Sequence, residues 1–166
     1  MPTALVVAFL LPHVHGRGFL FIIPKGKIMQ KTIINNPDTT GRLALLYKIA
    51  RVVYAQTGAV SLPLVEAFTS MIKNIVDKTG TDISIVIQDS NLFPSLRKSD
   101  INHDWIFVSA SNPGFQMCLR TAGRIMSGCL GDCCYGATKY HYADTIPDWA
   151  LSRGYIADID GILFYT

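Results

Sequence analysis

Charge, glutamate and long apolar runs are all scarce in this sequence. Only 16% of the 166 residues are charged and 49% are apolar, a composition that excludes a disordered chain and predicts a compact globule. The net charge of +3 includes no dense Lys/Arg run, which argues against a nucleic-acid partner. The apolar stretches at 4–12 and 19–24 fall far short of the roughly 20 residues that a spanning helix needs, so we expect no stable membrane span.

The first 40 residues differ from the rest of the sequence. Their first apolar run is similar to the core of a signal peptide, yet no basic residue precedes it and no small-residue cleavage site follows. Met29 is an alternative start for the working protein. Turn-forming residues at 35–41 then mark where the folded part begins. We therefore expect an extension or a poor signal-like segment at 1–40, and one domain at 41–166.

Apolar spacing and turn residues predict a mostly helical α+β domain. Gly58 ends the first helix, and Ser61 caps a second helix whose nearly continuous apolar circumference is typical of a central core helix. Asp160-Gly161 between alternating apolar residues predicts a small C-terminal β-hairpin. The predicted elements are a helix at 42–55 that ends near Gly58, a helix at 61–78, a strand at 82–88, a helix at 113–128 and a hairpin at 155–165.

Two short motifs match catalytic patterns by spacing alone. S-x-x-K at 70–73 and K-T-G at 78–80 are both elements of penicillin-binding acyl-enzymes. In those enzymes distant segments converge on one serine, whereas here four residues separate the two motifs and the chain is too short for that fold. We interpret them as one face of a helix followed by a turn.

The four cysteines all lie in the second half of the chain, at Cys118, Cys129, Cys133 and Cys134. Their density is below that of a disulfide framework, so free or singly paired thiols are expected. Cys129, Cys133 and Cys134 with His141 resemble a thiolate-rich zinc site, but the two CxxC-type pairs of a typical site are missing and no metal is assigned. A nucleophilic pair of Cys134 and His141 depends on geometry that the sequence does not supply.

Aromatic residues and aspartates are concentrated at 136–165, with few basic residues among them. Aromatic faces beside short hydrogen-bonding side chains suit a ligand with flat apolar faces and many hydroxyls, such as a sugar. Cleavage of a glycosidic bond also needs a carboxylic acid to protonate the leaving oxygen. Glu66 is the single glutamate among twelve acidic residues, and a solvent-facing helix position near Ser70 or Lys73 is the alternative to a catalytic role.

The same C-terminal stretch resembles the signature of the bacterial cell-wall hydrolases typified by spore-cortex-lytic enzymes. That signature reads G-A-T-x-Y/F-H-x-x-x-x-x-P-x-W-A and is followed by I-G-x-H-x-F-Y. The matching residues are Gly136-Ala137-Thr138, Tyr140-His141, Pro147, Trp149-Ala150, Ile159-Asp160-Gly161 and Phe164-Tyr165. The resemblance runs from about Leu43 to the C-terminus, includes "NLF" at 91–93 in place of N-Q-F, and implies a lysozyme-like, lytic-transglycosylase-like core.

In that family the catalytic acid ends the first helix, in a motif like I-Y-G-E-A-R-G-E. The matching segment here is Val53-Tyr54-Ala55-Gln56-Thr57-Gly58, so Gln56 holds the position of the glutamate. A carboxamide has no acidic proton to deliver and cannot serve as the base afterwards. An exchange made to trap a substrate complex and a natural loss of catalysis would both give this pattern.

The resemblance implies cleavage of the MurNAc–GlcNAc β-1,4 bond of peptidoglycan by a single acid, with no metal or organic cofactor, in a chain that Gln56 leaves inactive. It implies that Tyr140, His141 and Trp149, and more weakly Thr138 and Phe93, contact the glycan or shape its cleft. Peptidoglycan is the expected partner, and a periplasmic or cell-wall-associated location follows. The alternative function is non-catalytic peptidoglycan binding on the same fold.

Overall fold

The computed structural model describes residues 41–166, so the extension or signal-like segment expected at 1–40 lies outside the described residues. The described part is a mixed α+β domain in which about half of the residues, rather than most, are helical. The helices are α1 (Arg42–Thr57), α2 (Leu62–Thr79), α3 (Ile83–Val86) and α4 (Pro113–Met126), with short 3-10 helices at Pro94–Leu96, His103–Phe107 and Asp148–Ala150. The strands are β1 (Lys139–Tyr142), β2 (Ala157–Ile159) and β3 (Ile162–Tyr165).

The first two helices begin and end where the sequence predicts. Gly58 follows α1 in the left-handed conformation, with φ of 59°, and its N–H bonds to the carbonyl of Tyr54. Trp105 lies against this glycine so closely that an added Cβ would stand 3.0 Å from the indole ring. At the start of α2 the Ser61 hydroxyl accepts a hydrogen bond from the Leu64 N–H, which satisfies one of the free donors of the first turn.

The core lies between α1, α2 and α4, with the sheet closing one side. α2 is the predicted central helix, since Val65, Phe68 and Met71 are fully buried along it. Phe93, Phe115 and Phe164 fill the space around it and are also fully buried. Burial of one such side chain contributes about 1.5–3 kcal/mol to stability, so these aromatic rings fix how the connecting segments and the sheet are placed against α2.

The prediction of a strand at 82–88 is wrong. Residues Ile83–Val86 instead form the single helical turn α3, and the Asp82 carboxylate accepts a hydrogen bond of 2.7 Å from the Ser84 N–H. The β-branched residues here favour a strand only when a neighbouring strand is present to pair with. The Asp82 cap bonds to a backbone N–H of the segment itself, and this favours the helical turn.

The predicted hairpin is confirmed, and β1 extends it to a sheet of order β1-β3-β2. Asp160 and Gly161 have φ of 51° and 78°, the left-handed pair that a two-residue hairpin turn requires. The sequence interpretation did not include β1. It pairs antiparallel with β3, with His141 opposite Leu163, and this pairing brings the residues after Thr138 beside the end of α1.

Candidate functional site

Gln56 is the penultimate residue of α1 and is only 3% exposed. Its carbonyl oxygen Oε1 accepts hydrogen bonds from the hydroxyls of Tyr140 and Tyr142, both at 2.9 Å. Its amide nitrogen Nε2 donates to the Ser95 hydroxyl at 2.6 Å. We call these four residues the Gln56 network. They join the first helix, the 3-10 helix Pro94–Leu96 and strand β1 through one buried side chain.

The alternation of β1 explains why two tyrosines reach the same amide. Residues two apart on a strand point to the same face, so Tyr140 and Tyr142 both point towards the end of α1. The Tyr142 hydroxyl also lies 2.8 Å from the Gln56 backbone carbonyl, and the Tyr140 hydroxyl 3.2 Å from that of Leu92. Burial, with smaller contributions from neighbouring charges such as Asp100, raises the pKa of both phenols far above the usual range, so both remain protonated donors at neutral pH.

A pocket of about 210 Å³ opens on the other side of Tyr140. Four of the six residues that the sequence assigns to the site line it: Phe93, Thr138, Tyr140 and Trp149. The remaining lining residues are Met71, Ile75, Asn91, Leu92 and Lys139. The surface is therefore mostly apolar and aromatic, with the Asn91 amide, the Thr138 hydroxyl and the Lys139 ammonium group as its polar groups. Such a mixture suits a small ligand with apolar faces and a few polar groups.

Trp149 stands at the rim of this pocket with 36% of its surface exposed. Its ring is held edge-on by His141 and Tyr165, with centroid distances of 5.8 and 5.1 Å. The Lys139 ammonium lies 5.5 Å from the Trp149 ring centroid. Trp149 is thus neither a fully buried core residue nor a free surface side chain, and its ring can be contacted from the pocket.

His141 lies behind the pocket, and Phe93 forms part of its buried wall. Both ring nitrogens of His141 are engaged, Nε2 with the Tyr165 hydroxyl and Nδ1 with the Tyr142 carbonyl, each at 2.8 Å. His141 is buried and supports Trp149 instead of lining the pocket. Phe93 is fully buried, and its ring packs against Phe68 with centroids 6.0 Å apart. Of the two possible roles, contact or shaping, their positions fit shaping.

Glu66 is held away from the Gln56 network by an ion pair. Its carboxylate bonds to the Arg124 guanidinium and so links α2 to α4, whereas the sequence interpretation placed it near Ser70 or Lys73. Lys73 pairs instead with Asp77, one turn further along α2. Within residues 41–166, no carboxylate forms a hydrogen bond with the Gln56 amide.

Ser70, the serine of the S-x-x-K motif, belongs to a different cluster, beside the loop residues Cys133 and Cys134. Ser70 is buried, its hydroxyl lies 3.2 Å from the Cys134 sulfur, and it accepts a hydrogen bond from the Cys133 N–H. Burial raises the pKa of the Cys134 thiol to about 12, so it stays protonated at neutral pH. Cys134 contacts Ser70, Asn74 and Asp132 and does not pair with His141, whose nitrogens are used elsewhere.

No metal site is assembled from these side chains. In the part of the chain that the structure describes, no three His, Cys, Asp or Glu side chains are close enough together to hold an ion. All four cysteines, which lie within the same part, are free thiols.

Several residues of the site were not assigned from the sequence, among them Ser95, Tyr142 and Lys139. Ser95 has no sequence signal, because a serine after a proline is common in loops. Tyr142 had a usable signal, since a second tyrosine two positions after Tyr140 predicts a shared face once the segment is a strand. Lys139 falls at a variable position of the resembled signature and is visible only through its contact with Trp149.

Comparison with protein-family models, with curated proteins and with solved structures gives no match. Among the helices of residues 41–166, none has the length and apolar character needed to cross a bilayer.

Proposed function

We propose that the protein binds peptidoglycan glycan strands on a lysozyme-like cell-wall-hydrolase fold, and that Gln56 occupies the place of the catalytic acid, so that strands are bound and scarcely cut. The observation that carries this proposal is the Gln56 network. The side chain at the end of the first helix is fixed by two tyrosine hydroxyls and a serine, next to a pocket with an exposed tryptophan. A location facing the cell wall is part of the proposal.

The network is compatible with a carboxylic acid in place of the amide. A protonated glutamate at position 56 would accept from both tyrosines through one oxygen and present its O–H where the amide N–H now donates to Ser95. A placed acid of this kind contributes about 10²–10⁴-fold to proton transfer. The amide keeps the shape and the hydrogen bonds but has no acidic proton, so binding is retained and cleavage is lost.

The pocket supports a sugar as the ligand. The Trp149 ring offers a flat apolar surface, and Asn91 and Thr138 bring an amide and a hydroxyl to the same space. With about 210 Å³, the pocket is below the roughly 300–1,000 Å³ of sites that enclose drug-sized ligands. It suits one ring of a strand whose other sugars lie outside.

A second candidate is a binding protein on the same fold in which position 56 has only a structural role. One observation favours it: Gln56 is buried, its hydrogen bonds are satisfied, and it does not line the pocket. The Gln56→Glu variant separates the two candidates, because a structural tie gains no cleavage from a carboxyl group.

Binding is tested by co-sedimentation of the protein with purified insoluble peptidoglycan. Trp149→Ala should weaken binding by about tenfold, the loss expected when an aromatic contact residue is truncated. Trp149→Phe should keep most of the binding, and a circular dichroism spectrum checks that each variant is folded. Trp105→Ala is the matched control, since Trp105 is the other half-exposed tryptophan and does not line the pocket. Wild-type protein that stays in the supernatant would contradict the proposal.

A further inference from the structure

Among residues 41–166, Lys139 is the one charged residue that lines the pocket beside Trp149. It is the first residue of β1, and alternation along the strand directs it to the side of His141 and Trp149 rather than to that of the Gln56 network. Its ammonium lies 5.5 Å from the Trp149 ring centroid, a cation–π contact that places the exposed lysine side chain over the ring at the pocket.

Among residues 41–166, no carboxylate forms an ion pair with Lys139. The ion pairs formed within residues 41–166 use Lys73 and Arg124, and neither involves Lys139. In the described part of the chain no aspartate or glutamate lines the pocket, although Asp148 precedes Trp149 in the chain. A ligand that stacks on Trp149 therefore meets an exposed ammonium group that no carboxylate of residues 41–166 pairs with.

We infer that Lys139 selects a sugar that carries a carboxylate, and that the pocket distinguishes the muramoyl residue of peptidoglycan from N-acetylglucosamine. This inference rests on the proposed function and adds to it the identity of the sugar in the pocket. The two sugars share ring and acetamido group and differ in the lactyl ether on O3, which bears a carboxyl group. A neutral pocket could not separate them by charge, and Lys139 supplies the complement.

The carboxylate has two sources in peptidoglycan. In a strand without stem peptides the lactyl group ends in a free carboxylate. In an intact strand that carboxyl is an amide, and the carboxylates belong to the peptide. Lys139 recognises the chemistry they share, and the ligands of the test separate the two sources.

The test is isothermal titration with three soluble ligands: the GlcNAc–MurNAc disaccharide, the same disaccharide bearing a stem peptide, and neutral chitobiose. Wild-type protein should bind one or both muramoyl ligands about fivefold more tightly than chitobiose, the scale of one partly exposed charge pair. Lys139→Met should remove that difference, and Lys139→Arg should keep it. Lys48→Met, at an exposed lysine of α1, is the matched control and should behave as wild type. Added salt should reduce the preference.

Each outcome has one meaning. Preference for the peptide-free disaccharide assigns the lactyl carboxylate, and preference for the peptide-bearing one assigns a peptide carboxylate. Equal binding of all three ligands, or an unchanged preference in Lys139→Met, overturns the inference and leaves the proposed function standing if peptidoglycan still sediments the protein. Failure to bind any ligand or peptidoglycan overturns both.

Discussion

Tyr140 contacts two regions that differ in exposure and in whether their polar groups have partners. On one side its hydroxyl joins the Gln56 network, where an amide that is 3% exposed has partners for both its oxygen and its nitrogen. On the other side its ring lines a pocket in which Trp149 is 36% exposed and Lys139 has no carboxylate partner among the described residues. The first region is closed and satisfied, and the second is open and offers unused interactions.

This difference separates two tasks within the site. A closed, fully bonded side chain is positioned accurately, which is what a proton donor needs, but in its amide form it has nothing to donate. An open pocket with an aromatic face and an unpaired cation can bind a ligand without any chemistry. In the proposed function the pocket therefore serves recognition, and Gln56 gives structural support in the place of a proton donor.

Replacing Gln56 by alanine should have the largest effect on stability. The truncation leaves a buried cavity and deprives the hydroxyls of Ser95, Tyr140 and Tyr142 of a partner, so we expect a loss of about 3 kcal/mol in the free energy of unfolding. Urea denaturation measures it. Gln88→Ala, at an exposed glutamine, is the matched control and should change stability by less than about 0.5 kcal/mol. A similar small change at both positions would show that the network is not closed.

The sequence predicts the helices of this domain well because their signals are local. Ser61 and Gly58 act within one turn of their own helices, and the Asp160-Gly161 turn needs only its two flanking strands. The prediction of a strand at 82–88 was wrong because strand formation depends on a distant partner. The Asp82 cap instead stabilises a helical turn within the segment itself. Strand β1 was missed for the same reason, since its partner β3 lies some twenty residues further along the chain.

The candidate site was predictable in part. The resemblance of the C-terminal stretch implies Thr138, Tyr140 and Trp149 as site residues, and these line one pocket. Whether an aromatic residue faces a ligand or supports its neighbour depends on packing, which is why His141 lies behind Trp149. Ser95 joins Gln56 across 39 residues, a contact that only the folded chain defines.

The loop at 127–138, which connects α4 to β1, should contribute less to stability in acid. Asp132 is partly desolvated, which raises its pKa, but hydrogen bonds from the Cys134 and Gly136 N–H groups and from Asn74 outweigh this and lower it below the ordinary value. Its stabilisation is therefore complete above the unfolded pKa, about 3.9, and is lost as the pH falls through the lower folded value.

Asp132→Asn should consequently cost about 1 kcal/mol or less at neutral pH, because the carboxylate is exposed and screened by solvent. Urea denaturation at pH 7 and at pH 3 measures the difference from wild type, which should shrink in acid. Asp77→Asn, in an exposed ion pair on α2 away from the loop, is the comparison that isolates the loop. A difference that grows in acid would contradict the assigned direction of the pKa shift.

The cysteines should differ in reactivity according to their burial, as the two regions beside Tyr140 differ in exposure. Burial raises the pKa of both Cys118 and Cys134 to about 12, so these thiols stay protonated and shielded at pH 8, whereas Cys129 is exposed. Iodoacetamide should modify Cys129 first in native protein, and Cys118 and Cys134 only after unfolding. Peptide mass spectrometry measures the order. Rapid native labelling of Cys134 would return it to consideration as a nucleophile.

The central claim is that Gln56 occupies the position of a glycosidic acid. The most direct measurement is a parallel digest of purified peptidoglycan by the wild-type chain and by Gln56→Glu, with released muropeptides analysed by mass. Gln88→Glu serves as a control for the added charge. We predict release by Gln56→Glu alone, at least about 10²-fold above the wild-type chain. Equal release by wild type and Gln56→Glu, or by neither while both still bind peptidoglycan, would contradict the claim.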